Sequence, residues 1–237
     1  FSFTQLKAFE TCPLQYKYRY IVKIPVPPSA ALVFGNTIHI VVKAFYDRVR
    51  QGEKPTKEDL LALLNAHWSS LGYGGKDLEK RYKEKGVELL AGFYEKGYDP
   101  ERIPTGLEEP FKLRITPALT LGGKIDRIDT LPDGTIEIID YKTGQAPKAR
   151  NVKNDEQLTI YAMTAMQEGV YQRPPEQVIV SFYFFDGQEK VSATRTREEL
   201  DVAKEHIAQT ADAISRSDFR PAPGKHCDFC EFRLICE

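Results

Sequence analysis

The segment GGKIDRIDTLPDGTIEIIDYKTG, Gly122 to Gly144, limits the fold more than any other stretch of this chain. Two isoleucine-rich runs with the alternation of strands flank Pro132, Asp133 and Gly134. Proline, then aspartate, then a glycine that tolerates a left-handed backbone predict a type I turn followed by a bulge, which is a three-residue loop. Leu131 then pairs with Thr135, and equal steps outward set Asp126 opposite Asp140. Residues opposite one another share a face, as do residues two apart on one strand, so Asp126, Asp140 and Lys142 project together. A two-residue loop would set Asp126 opposite Tyr141 and turn it to the other face.

Those charges stand where a strand should bury apolar surface, and an unpaired buried charge is strongly unfavourable. Two carboxylates a cross-strand distance apart repel unless a cation lies between them, and hard oxygen ligands suit Mg²⁺ or Mn²⁺. The Lys142 ammonium beside them can orient or deprotonate a water, or neutralise charge on a phosphoryl oxygen. Spacing alone equally allows a surface hairpin with an exposed Asp140–Lys142 ion pair.

The chain has 237 residues, of which 41% are hydrophobic and 11% aromatic, as expected for a folded globular core. Its 33 lysines and arginines nearly balance 34 aspartates and glutamates, so there is no global basic field and any polyanion must meet a local patch. No apolar run approaches a membrane span, and FSFTQLKAFETC lacks the features of a signal peptide, which predicts a cytoplasmic protein with no membrane partner. A start at Phe1 without methionine suggests a domain from a longer polypeptide. Three of the four cysteines, Cys227, Cys230 and Cys236, crowd the last dozen residues, and Cys12 stands near the start. In a cytosolic protein such clustering reads as metal ligation sooner than disulfides. The pattern C…C-x-x-C-x5-C lacks the second short knuckle of a four-cysteine zinc site, although zinc remains open, with His226 able to replace one thiolate. Spacing leaves zinc and an iron–sulfur cluster level.

Along the chain, Ser2 to Gln5 has the form of a capping box before a helix, and Pro13 restarts the chain. IPVPPSAA is an extended connector, and helical periodicity then runs from Gly35 to Gly52 with His39 in the first turns. Amphipathic helices follow at Lys57–Ser69 and Lys76–Lys96. From Gly106 the period changes to three strands, then a helix at Asp155–Glu168, two more strands, and a last helix at Arg197–Ser215. This order predicts an α/β fold, a central mixed β-sheet flanked by helices, forming one domain over 1–237. Its parts are residues 1–34 with the first cysteine, 35–105 with His39, 106–196 with the sheet, and 197–237 with the cysteine tail. There is no G-x-x-x-x-G-K-S/T loop, so ATP binding is not expected.

GKIDRID and DYKTG resemble the PD-(D/E)XK nuclease superfamily, in particular its RecB-like branch, almost letter for letter. GNTIH resembles that branch's G-x-x-x-H and QLTIYA its Q-L-x-x-Y helix, while Glu108 in LEEPF matches a glutamate common before the first strand. The resemblance implies that His39, Asp126, Asp140 and the main-chain carbonyl of Tyr141 hold one or two Mg²⁺ or Mn²⁺ ions. It implies that Lys142 positions or activates the attacking water, and that Gln157 and Tyr161, four apart on one helical face, act near the substrate. For the four cysteines it implies a structural 4Fe-4S cluster joining the N- and C-terminal ends, on Cys12, Cys227, Cys230 and Cys236.

The function so implied is a DNA nuclease, most of all an exonuclease on single-stranded ends, serving repair or recombination beside a UvrD-like helicase in the same polypeptide or complex. A free-standing CRISPR-adaptation exonuclease shares the same motifs, and a nuclease-like DNA-binding module without catalysis is the rival of another class. For phosphate contacts the chain offers Lys148, Arg150 and Lys153 after the DYK strand. YKYRY interleaves aromatics with cations, which suits either stacking on unpaired bases or packing of Tyr16, Tyr18 and Tyr20 around the cysteines.

Overall fold

The computed structural model describes residues 1–146, 152–167 and 170–236. Helix α1 (Phe3–Thr11) opens on the expected capping box, with reciprocal bonds between Ser2 and Gln5. Pro13 opens α2 (Pro13–Tyr16), which continues into a π-helical turn at Lys17–Val22. Helix α3 (Ala30–Arg50) begins before the expected Gly35, because Ser29 caps it by accepting from the Leu32 N–H at 3.3 Å. Helices α4 (Lys57–Ala66) and α5 (Lys76–Lys96) follow.

Strands β1 (Gly106–Thr116), β2 (Leu119–Thr130), β3 (Ile136–Gln145), β4 (Val178–Asp186) and β5 (Glu189–Ala193) form one sheet in the order β1-β2-β3-β4-β5. β2 with β3 and β4 with β5 are antiparallel, whereas β3 with β4 is parallel. A parallel step needs a long crossover, and α6 (Glu156–Met166) lies in it. Helix α7 (Arg197–Arg216) follows β5.

The decisive hairpin has the loop its sequence predicts. The Leu131 N–H donates to Thr135 O at 2.8 Å, the Gly134 N–H donates to Leu131 O at 2.9 Å, and Gly134 has φ +83°. Pairing then runs Thr130↔Ile136, Asp129↔Glu137, Ile128↔Ile138 and Arg127↔Ile139. One step further, Asp126 comes opposite Asp140.

The chain divides into two compact units, one of Phe1–Pro27, Phe111–Gly123 and Arg197–Glu237, the other of Pro28–Pro110 and Lys124–Thr196. In the second unit, α3, α4 and α5 supply Phe34, Ile38, Phe45, Leu60, Leu90 and Phe93 to a core shared with Ile139, Tyr141, Tyr183 and Phe185 of the sheet. Each such buried side chain contributes about 1.5–3 kcal/mol. Helix α6 packs on β3 and β4 and is buried from Leu158 to Ala165. Strand β4 is buried along almost its whole length, which is why VIVSFYFF reads as a near-continuous apolar run.

In the first unit α1 packs on α7. The Phe1 ammonium donates to Thr120 O at 3.0 Å, and Phe1 O accepts from the Gly122 N–H at 2.7 Å. Tyr16 is buried, stacks on Phe219 with centroids 6.0 Å apart, and meets Phe9 and Tyr20 edge-on or tilted. Beyond α7 the chain forms only short 3-10 turns, at Lys225–Phe229 and Arg233–Ile235. Among the described residues no helix is long and apolar enough to cross a membrane.

Candidate active site

The hairpin register carries Asp126 and Asp140 to one face of the sheet at the point where the β2–β3 ladder gives way to side-chain bonding. Asp126 Oδ2 accepts from the Tyr141 N–H at 2.8 Å, so a carboxylate replaces a ladder carbonyl there. Its other oxygen, Oδ1, lies 3.3 Å from His39 Nδ1 on α3. Burial alone would lower the His39 pKa, but the hydrogen bond and charge of Asp126, with Asp140 and Glu108 behind it, leave it raised.

Glu108 is the third member of this group, and its backbone marks it out. It has φ +52° inside β1, a left-handed conformation that non-glycine residues adopt rarely and that concentrates at functional sites. Glu108, Asp126 and His39 each bring a ligand atom to within 4.8 Å of the other two. Lys124 Nζ lies 2.8 Å from Glu108 Oε2 and is itself well exposed, which supplies a positive charge at the rim.

Asp140 is 3% exposed. Its Oδ1 accepts from the Tyr161 hydroxyl at 2.9 Å and from Gln157 Nε2 at 3.0 Å, and the same Gln157 accepts from Lys142 Nζ through Oε1 at 2.9 Å. Lys142 Nζ also stands 2.6 Å from Asp140 Oδ2 as an ion pair. Burial raises the Asp140 pKa, Lys142 opposes that, and Asp126 adds to it. The Lys142 ammonium sits 4.8 Å from the centroid of the Phe182 ring, placed there by the parallel pairing of Asp140 with Phe182. His39, Glu108 and Asp126 supply one imidazole nitrogen and two carboxylates, a donor set that fits a hard divalent cation, and Asp140 stands outside that group.

The expected residues His39, Asp126, Asp140, Lys142, Gln157 and Tyr161 thus all meet in the second unit. Tyr141 contributes its backbone here, while its ring is buried in the core formed with α3 and α5. Lys148 and Arg150 lie outside the described residues, and Lys153 is exposed. Lys124 and Phe182 were not foreseen. Lys124 is two residues before Asp126 on one strand and could have been read from alternation, whereas Phe182 depends on a non-local pairing that no local signal announces.

The cysteines form a second candidate site, wholly within the first unit. Cys12, Cys227, Cys230 and Cys236 line one cavity of about 280 Å³, together with Leu14, Tyr18 and Phe232 among others. The Ala222 N–H donates to Cys12 Sγ at 3.5 Å and the Gly224 N–H to Cys227 Sγ at 3.4 Å. Among the described residues no three cysteine sulfurs lie within 4.8 Å of one another. Four thiolates on a single tetrahedral zinc at about 2.3 Å would be closer than that. Arg19 and Gln15 hold Glu231 between the second and third tail ligands.

A mixed sheet flanked by helices, with an aspartate on one strand, a D-Y-K triplet on the next and a histidine brought in by a helix, defines a metal-dependent phosphodiesterase site. The chain belongs to the PD-(D/E)XK nuclease superfamily, whose model matches residues 1–237. Members of this superfamily are nucleases that use divalent metals. Gene 69 protein of Mycobacterium phage D29 is 27% identical over 271 residues, covering 99% of this chain and 95% of that protein. Gene 69 protein of Mycobacterium phage L5 is 23% identical over 286 residues, with the same coverage. An ATP-dependent helicase/deoxyribonuclease subunit of Streptococcus agalactiae is 29% identical over 141 residues, covering 57% of this chain and 13% of that protein.

Proposed function

We propose that the whole chain acts as one nuclease domain of the RecB-like branch, a Mg²⁺- or Mn²⁺-dependent deoxyribonuclease working as an exonuclease on single-stranded DNA ends. The observation that carries this reading is the convergence of His39, Glu108 and Asp126, with Asp140 beside a lysine whose ammonium is held by Gln157. His39, Asp126, Asp140, the Tyr141 carbonyl and Glu108 would hold the metal. When bound, it supplies Lewis-acid stabilisation of the charge that develops on the phosphoryl oxygens.

The protein's own groups do the rest. Gln157 bridges Lys142 and Asp140, so the ammonium is presented at a set distance from the carboxylate rather than sampling rotamers. Tyr161 occupies Asp140 Oδ1 and leaves Oδ2 turned to the site. Lys142 orients the attacking water and offsets negative charge as the P–O bond breaks.

For the cysteine cavity we read a structural 4Fe-4S cluster on Cys12, Cys227, Cys230 and Cys236. A cytoplasmic setting fits such a group in this reading. Similarity to a helicase/deoxyribonuclease protein supports work beside a UvrD-like helicase, in repair or recombination. A free-standing enzyme is the second reading, favoured because the phage proteins match this chain over nearly their full length.

The test is digestion of 5′- and 3′-labelled single strands with Mg²⁺ or Mn²⁺, comparing free and blocked ends. Lys142→Ala is expected to lower cleavage by roughly 10²–10⁴-fold while leaving the thermal midpoint in place. Equal cleavage by wild type and Lys142→Ala would remove the enzymatic reading and leave a DNA-binding module.

A further inference from the structure

On the face of the sheet opposite Asp140 and Lys142, the second unit has a cavity of about 390 Å³, a size usual for small-molecule sites. Four cations, Lys96, Arg102, Arg127 and Lys190, line it, against the single carboxylate of Asp99. Asp99 Oδ1 is already engaged by the Glu101 N–H at 3.0 Å. Arg102 and Lys190 both reach the buried Glu137, each at 2.8 Å, and Arg127 clasps Asp129 at 2.7 and 2.8 Å, so three of the cations are held in place by groups behind the wall. Lys96 has no ion-pair partner among the described residues. Tyr141, 4% exposed, belongs to the same wall.

An unpaired ammonium beside three fixed cations asks for one ligand type, a compact anion with several acceptor oxygens. The rings of Phe93, Tyr141 and Tyr183 in the same wall offer apolar surface beside that charge. We infer that this cavity binds a phosphate monoester, either inorganic phosphate or the 5′-phosphate of a mononucleotide. Arg127 directly follows Asp126, and Tyr141 lies between Asp140 and Lys142, so an occupant would engage the two strands that carry the candidate catalytic groups, from their other side. Resting on the nuclease reading, a 5′-mononucleotide there would be the enzyme's own product, and the cavity a product-sensing site.

Calorimetry on the full chain in chelator tests this, since no divalent ion can then draw phosphate to the carboxylates. Sodium phosphate, deoxyadenosine 5′-monophosphate and deoxyadenosine are titrated separately. Saturable binding is expected for a phosphate-bearing probe and none for the nucleoside. Tighter binding of the nucleotide assigns a nucleotide site, and equal or tighter binding of phosphate assigns an inorganic-phosphate site. Lys96→Ala should weaken binding by about tenfold. Absence of saturable heat with both phosphate probes, or equal affinity in wild type and Lys96→Ala, overturns the inference. Neither result depends on cleavage, so the nuclease reading stands or falls separately by Lys142→Ala.

Discussion

In the carboxylate site each candidate ligand side chain stands on a regular strand or helix and has a protein partner, whereas the four cysteines sit at a helix end and in or beside short 3-10 turns, with backbone N–H groups directed at the sulfurs of Cys12, Cys227 and Cys230. Asp140 is 3% exposed, while Cys236 is exposed. The first site is organised before any ion arrives, because hairpin register, the Gln157 bridge and the Tyr161 hydroxyl hold its geometry. The second has its ligands on one cavity but little regular structure to hold them, so its order should depend on what it binds. On the reading proposed above, loss of the first site would remove chemistry and loss of the second would remove structure.

The strongest way to break this contrast acts on the hairpin loop. Deleting Asp133 leaves a two-residue loop, flips Asp126 to the opposite face and should lower both Mn²⁺ affinity and cleavage by more than about 10²-fold. Calorimetric Mn²⁺ titration beside far-ultraviolet dichroism checks it, and unchanged affinity with an intact sheet would show that register does not organise the site.

Next in size, Cys230→Ser should lose its bound iron and speed hydrogen exchange in α1 and residues 217–236 by at least about tenfold. Burial pushes the Cys230 thiol pKa up, with an opposing hydrogen bond from the Phe232 backbone. If exchange in that region stays slow without iron, the cavity is as pre-organised as the carboxylate site.

The smallest effect concerns a buried carboxylate that needs no metal. Burial would raise the Glu137 pKa, but Lys190, Ser181 and Arg102 hold it below its ordinary value of 4.5. A depressed folded pKa stabilises the protein above that ordinary value, and the contribution is lost as pH falls through the folded pKa. Glu137→Gln should therefore cost about 3–5 kcal/mol at neutral pH, with the difference shrinking on the acid side, as read by urea unfolding across pH 3–7.

Much of the catalytic geometry was legible in the chain itself. LPDGT announces an odd loop, and strand alternation converts that parity into a shared face for Asp126, Asp140 and Lys142, both being local properties of backbone sterics. Helix boundaries were nearly legible too, with α3 misplaced only because Ser29, rather than the glycine, marks its start. The expected helix at Lys57–Ser69 ends at Ala66, where His67 leaves helical geometry.

The order of strands, the loop length and the ligand types are written in residues near one another, and the sequence by itself determined them. The parallel pairing of β3 with β4 joins residues about forty apart, and only the folded chain decides it, because a non-local contact is selected by total core burial rather than by any local preference. That pairing places Phe182 under Lys142. The left-handed backbone at Glu108 and the gathering of four distant cations in one cavity have the same origin: each is unfavourable locally and is held by surrounding packing.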